Sequence, residues 1–217
     1  QIEAMIGSAD FHDETIHGQV NGTLAKRSPG STLKPFVYGL AMDAGLIHPM
    51  TMLKDLPKKY AGFAPENFGK GFVGPISAQD ALIRSRNVPA VDLQSQLLKL
   101  KEAEKANSKK TQTFYQFLQN AGISDLKDAD FYGLALALGG GEVSMLELVE
   151  LYAMISNLGV HRGAVSTYWV SGKEGAKKLE NTQQLLSPEA AFLIFDMLTK
   201  NAKPNSISYA STAPARI

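Results

Sequence analysis

Two prolines bracket a short stretch, Pro29-Gly30-Ser31-Thr32-Leu33-Lys34-Pro35, and an apolar run follows at Phe36, Val37, Leu40, Ala41 and Ala44 before Gly45. Apolar residues three and four apart predict a buried helix over about 31 to 44. Proline fits a helix only in its first turn, where the amide hydrogen needs no helical partner, so the Pro29-Gly30 pair and Pro35 confine Ser31 to that turn. The chain must therefore bury this helix and present a serine at its N-terminal end. Ser31 and Lys34 lie three residues apart on one helical face, close enough to share a proton as a nucleophile and its base. The free N–H groups and the positive end of the helix favour negative charge on the attacking oxygen and on a tetrahedral intermediate.

The spacing alone is a weak signal, because Ser-x-x-Lys is expected roughly once by chance in a chain of this size. A second copy indeed occurs, Ser124-Asp125-Leu126-Lys127, but it follows Gly122 in a polar loop and precedes no buried helix, so it reads as coincidence. Ser85-Arg86-Asn87 falls on the turn between a helix ending near Arg84 and another starting at Pro89. A turn can point both side chains into a cleft, although alone it would read as a serine cap and a turn asparagine.

The remaining punctuation outlines a chain of many helices and few strands. Gln1 to Gly7 alternates as a strand does, and Ser8 to His17 reads as loop. Leu46 to Pro75 lacks a sustained period and reads as a long irregular segment. Ser77 with Asp80, and Ser144 with Glu147, have capping-box spacing and open helices, the second running to about Asn157. Further helices are expected from Pro89 through Leu98 into the mixed-charge tract Lys99 to Lys110, over 111 to 121, and from Ser187-Pro188 to about Lys200. Residues 164 to 170 read as a strand.

Composition excludes more than it selects. The 217 residues carry 22 Lys and Arg against 21 Asp and Glu, a net charge of +1, so no global field draws nucleic acid or an anionic membrane. Cysteine is absent, which removes disulfides, thiolate metal sites and a cysteine nucleophile. No apolar stretch approaches the ~20 residues that span a bilayer, so an anchor or export signal is expected outside this piece.

With Arg27-Ser28 ahead of the first motif and Ser85-Arg86-Asn87 as a second, the chain resembles the transpeptidase domain of the penicillin-binding proteins. Ala4-Met5-Ile6-Gly7-Ser8, Gly18-Gln19-Val20-Asn21, Pro65-Glu66-Asn67-Phe68 and Ala137 to Ser144 agree with it, from about residue 2 to 200. It looks closest to bifunctional class A enzymes of the penicillin-binding protein 1C kind. The resemblance implies an α/β (α+β) fold of the serine β-lactamase and transpeptidase type, with no glycosyltransferase domain in this piece. It implies Ser31 as the acylated serine, with its N–H as one oxyanion donor, Lys34 as proton acceptor, and Ser85 and Asn87 relaying protons and holding the substrate amide. The implied partners are peptidoglycan stem peptides ending in D-Ala-D-Ala and β-lactams, without a cofactor, on the periplasmic side of a bacterial inner membrane to which the parent protein is anchored.

The family's third motif, Lys-Thr-Gly or Lys-Ser-Gly, occurs nowhere in the 217 residues; Lys110-Thr111-Gln112 lacks the glycine. Residues 1 to 217 are thus expected to be the N-terminal and central part of one transpeptidase domain, with an incomplete central antiparallel sheet. The missing strand should supply a lysine for the substrate carboxylate and a second oxyanion N–H, leaving this piece inactive alone and the helix of 31 to 44 with an uncovered apolar face. A complementary C-terminal fragment or a second copy could cover it. A β-lactamase-type hydrolase would need a deacylating carboxylate, and no Glu-x-x-x-Asn pattern supplies one; a non-catalytic scaffolding module on the same fold is the other alternative. His12 and His17 with nearby acids match no metal-ligand spacing, Gly139-Gly140-Gly141 reads as a tight turn, and Met42, Met50 and Met52 read as core filler.

Overall fold

The computed structural model describes residues 3–60, 62–104, 111–163 and 182–201. Helix α1 (Lys34–Asp43) is its axis, buried at every position from Lys34 to Ala41. Around it lie α2 (Ala78–Ile83), α3 (Asn87–Ala103), α4 (Phe114–Asn120), α5 (Ala129–Tyr132), α6 (Met145–Ser156) and α7 (Pro188–Thr199). Phe36 of α1 stacks on Phe117 of α4, with ring centroids 5.6 Å apart, and meets Tyr152 of α6 edge-on at 5.4 Å. On the other side Gly39 admits α7 and its leading loop so closely that a Cβ would lie 2.9 Å from a Leu186 methyl. The apolar face expected to stand open on this helix is therefore absent: α2, α3, α4 and α7 all contact it.

Local capping chemistry sets several helix starts. Ser77, Ser144 and Ser187 each accept an N–H from three residues on, at 3.1 to 3.2 Å, and Ser144 with Glu147 forms a complete capping box. Thr113 and Gln116 form another at the head of α4. Helix α3 starts at Asn87, earlier than its proline suggests, because Arg86 takes the extended N-cap conformation.

The strands depart further from expectation. Residues 3–7 form no strand; among the described residues their backbone is held by one bond, Gly22 N–H to the Gly7 carbonyl at 2.8 Å, too little for a ladder. Inside the segment read as irregular, β1 (Met52–Asp55) pairs antiparallel with β2 (Gly74–Ser77), in the register Met52 with Ser77 and Asp55 with Gly74. These four-residue strands, one starting Gly74-Pro75, are too short to carry a legible period of two. Met50 and Met52 are 67% and 60% exposed, so they do not fill the core as expected, whereas Met42 packs against it. A second pair, β3 (Val160–Arg162) with β4 (Thr182–Gln184), lies beside α6. The strand expected at 164 to 170 lies outside the described residues. Among the described residues no helix is long and apolar enough to cross a membrane.

Candidate active site

Ser31 stands in a 3₁₀ turn, Gly30–Leu33, that runs straight into α1. Gly30, at φ 55°, opens the turn in the left-handed region that glycine enters without a Cβ penalty. Gly139 backs it so tightly that a Cβ there would sit 2.3 Å from the Gly30 nitrogen. Three further ties hold this segment. Ser28 Oγ donates to the Gly139 carbonyl at 2.7 Å, Arg27 pairs with Val143, and the Lys26 ammonium lies 2.7 Å from both Glu147 oxygens. From α6 the Tyr152 hydroxyl donates to the Thr32 carbonyl at 2.8 Å. The Ser31 side chain is left exposed on this braced turn.

Lys34 is wholly buried, an expensive place for an ammonium unless its protons are matched. Its Nζ donates to the Ser85 carbonyl at 2.6 Å, Ser85 Oγ at 3.1 Å and Asn87 Oδ1 at 2.6 Å. An ammonium has three donors, so these acceptors engage all of them. None of these hydrogen bonds goes to Ser31, although the three-residue spacing put the two within reach of one proton. Burial, and then the charge of Arg86, lower the Lys34 pKa to about 8. An appreciable fraction of a neutral amine, the form that can accept a proton, is therefore present near neutral pH.

Ser85 has φ 53°, a left-handed conformation that costs a non-glycine residue about 1–3 kcal/mol and persists only where its surroundings impose it. The surroundings are a network that sequence reasoning missed. Asp55, wholly buried on β1, accepts from Arg86 Nε at 2.7 Å, from Asn67 Nδ2 at 2.8 Å and from the Val73 N–H at 3.1 Å. Asn67 Oδ1 in turn accepts the Asn87 N–H at 2.8 Å, and Asn87 Nδ2 donates to the Glu66 carbonyl at 2.6 Å. Arg86 also donates to the Gly71 carbonyl. Burial, and then the nearby Asp55 charge, push the Tyr38 phenol well above its usual range. A sequence signal existed for Asn67, within Pro65-Glu66-Asn67-Phe68, but none for Asp55.

The second Ser-x-x-Lys copy lies apart from this cluster. Ser124 gives its N–H and hydroxyl to Glu147 Oε1, both at 2.9 Å, and Lys127 lies 4.0 Å from the Phe131 ring centroid. Among the described residues no group of three or more His, Cys, Asp or Glu could hold a metal ion.

Residues 1–215 match the family model of the penicillin binding protein transpeptidase domain. Penicillin-binding protein 1C of Escherichia coli is 34% identical over 210 residues, which are 94% of this chain and 24% of that protein. Penicillin-binding protein 1F of Bacillus subtilis is 36% identical over 154 residues, 70% of this chain and 19% of that one. The chain thus spans about a quarter or less of these relatives. A peptidoglycan glycosyltransferase from Burkholderia ambifaria superposes with a TM-score of 0.62 at 17% identity, over 82% of this chain and 57% of that one, a likeness of fold.

Proposed function

Because the chain belongs to the penicillin-binding-protein transpeptidase family, we propose that it forms the serine-bearing part of a peptidoglycan DD-transpeptidase domain in which Ser31 is acylated. The observation that carries this reading is the convergence of Lys34 with Ser85 and Asn87, 51 and 53 residues away in sequence, around one buried amine.

The neutral Lys34 amine takes the Ser31 hydroxyl proton, with Ser85, 3.1 Å from Nζ, as relay. The Ser31 oxygen attacks the carbonyl carbon of the penultimate D-alanine of a stem peptide. Charge developing on the carbonyl oxygen falls at the Ser31 N–H and the N-terminal end of the helix. The amide C–N bond breaks, its electron pair stays on the departing D-alanine nitrogen, and that nitrogen receives the proton. An amine of a neighbouring stem then attacks the acyl-Ser31 ester and gives up one of its protons to Lys34; the carbon–oxygen bond breaks, and that proton passes to the Ser31 oxygen. Holding the substrate amide is the role assigned to Asn87, whose N–H goes to Asn67 and whose Nδ2 goes to the Glu66 carbonyl. β-Lactams enter by the same acylation and stay, since no Glu-x-x-x-Asn pattern offers a deacylating carboxylate. The setting proposed for this chemistry is the periplasmic face of the inner membrane, in a membrane-anchored parent.

Two arms test the reading. In the full-length protein, peptide mapping after fluorescent penicillin should place the adduct on Ser31, and Ser31→Ala should abolish it, by on the order of 10⁴-fold or more. An adduct on Ser124, or full labelling of Ser31→Ala, would defeat the assignment. Residues 1–217 alone, without a Lys-Thr-Gly or Lys-Ser-Gly strand, should label at least about 10²-fold more slowly, because one oxyanion donor and the partner of the substrate carboxylate would be missing. Equal labelling of the two would show that Ser31, Lys34, Ser85 and Asn87 suffice, as an inactive scaffolding domain would not.

A further inference from the structure

The ammonium of Lys34 is matched only because Ser85 turns both its carbonyl and its hydroxyl toward it, and that turn needs a left-handed serine. Nothing within Ser85-Arg86-Asn87 prefers this conformation, so the force that maintains it comes from elsewhere in the fold. The neighbours of the turn lead back to one group. Arg86, immediately after Ser85, is gripped by Asp55: its Nε donates to Oδ2 at 2.7 Å, and an Nη, which donates to the Gly71 carbonyl, lies 2.6 Å from the same oxygen as an ion pair. The backbone N–H of Asn87 is taken by Asn67, whose other amide end is bonded to Asp55 Oδ1. The strained residue is thus tied on its C-terminal side through two side chains that share one carboxylate.

Asp55 itself has no freedom to follow a moving partner. It is wholly buried, sits at the end of β1 opposite Gly74, and receives the Val73 N–H on the oxygen that Arg86 uses. Charge-assisted bonds to a buried carboxylate are the strong kind, and here Arg86 and the Val73 N–H converge on Oδ2 while Asn67 holds Oδ1, so both oxygens are fixed. An ion pair this deep costs desolvation and is weak evidence of stabilisation for its own sake, whereas it specifies one geometry well.

Resting on the reading of Ser31 as the acylated serine, we propose that Asp55 is a positioning residue for acylation, acting through Arg86 and Asn67 to hold Ser85 and Asn87 against Lys34. It touches neither substrate nor reacting atoms. Its effect falls on the rate of the covalent step, because displacing a proton relay by about 1 Å can cost on the order of 10²-fold.

Time-resolved labelling of the full-length protein with fluorescent penicillin separates noncovalent binding, the acylation rate constant at saturation and the final number of labelled sites. In Asp55→Asn, the acylation rate constant is expected to fall about 10- to 100-fold, with the noncovalent constant changed less than about threefold and labelling still reaching the wild-type stoichiometry. Asn67→Ala, which leaves the Asp55–Arg86 pair in place, is expected to fall about tenfold in the same constant and carries the test if Asp55→Asn lacks a cooperative thermal transition. A wild-type rate constant with fewer labelled sites would overturn the proposal, since a merely structural role lowers the number of competent molecules and not their speed. Unchanged kinetics in both variants would overturn it equally. Failure of the unaltered protein to label at Ser31 would instead sink the acyl-serine reading, and this proposal with it.

Discussion

The chain contains the same four-residue spacing twice, Ser31 to Lys34 and Ser124 to Lys127, and the two copies have opposite fates. In the first, the lysine is wholly buried and its serine is exposed on a braced turn. In the second, the lysine is exposed and its serine is bonded to a carboxylate. The second copy is not helical: Asp125 sits at φ 58°, and three residues of separation no longer mean one face. The electrostatics differ as sharply. Burial and Arg86 pull Lys34 down to about 8, whereas Ser124 is bound to Glu147, whose bonds from Lys26, Ser124 and Ser144 outweigh burial and bring it to about 2. A sequence spacing becomes chemistry only where the fold desolvates the amine and leaves the hydroxyl open.

The largest break in that comparison should come from the two lysines. Lys34→Met is expected to slow penicillin acylation by about 10²–10⁴-fold, the usual worth of a positioned base, while Lys127→Met should leave it within about twofold. Rate constants measured on both variants check this, and equal losses would erase the distinction.

A pH series sharpens it further. The acylation rate of the full-length protein should rise as pH passes upward through about 8, since the neutral amine is the reactive form. Stability should follow the same sign: the folded pKa of about 8 lies below the 10.5 of the unfolded chain, which alone holds the proton between these values, so this site stabilises progressively from pH 8 to 10.5. A rate that is flat from pH 7 to 9 would contradict Lys34 as base.

The smallest effect belongs to the second copy, where Glu147 is structural. Glu147→Gln should cost about 1–2 kcal/mol by breaking the Lys26 pair and weakening the cap of α6; because Lys26 is one of several ties on the Ser31 turn, acylation in the folded molecules should slow by no more than about threefold. Its folded pKa of about 2 lies below the 4.5 of the unfolded chain, so its stabilising contribution is complete above about 4.5 and is lost as pH falls through about 2. Thermal melts of both proteins at pH 3 and pH 7 check this, the gap between them narrowing at the lower pH.

Much of the helical frame was legible because helices announce themselves locally. Ser77, Ser144 and Ser187 cap where their spacing says they should, and Pro35 marks the first turn of α1. The strands were not legible for the opposite reason: Met52–Asp55 is a strand only because Gly74–Ser77 lies beside it, and residues 3–7, with a strand-like pattern, lack such a neighbour among the described residues. Arg86 was visible as the middle of a motif, yet nothing in its neighbours says that Asp55, 31 residues earlier, takes its charge.

The sequence by itself determined the buried helix, the serine in the turn that leads into it, the lysine three residues on and the second motif that carries the family resemblance, because each depends on residues within a few positions of one another. Only the tertiary structure decided which Ser-x-x-Lys copy has a desolvated amine, that Lys34 turns its three protons to Ser85 and Asn87 and none to Ser31, and that a buried carboxylate on β1 holds a strained serine in place. Those outcomes are set by burial and by bonds between residues 20 to 53 positions apart, and such energies exist only once the chain has closed on itself.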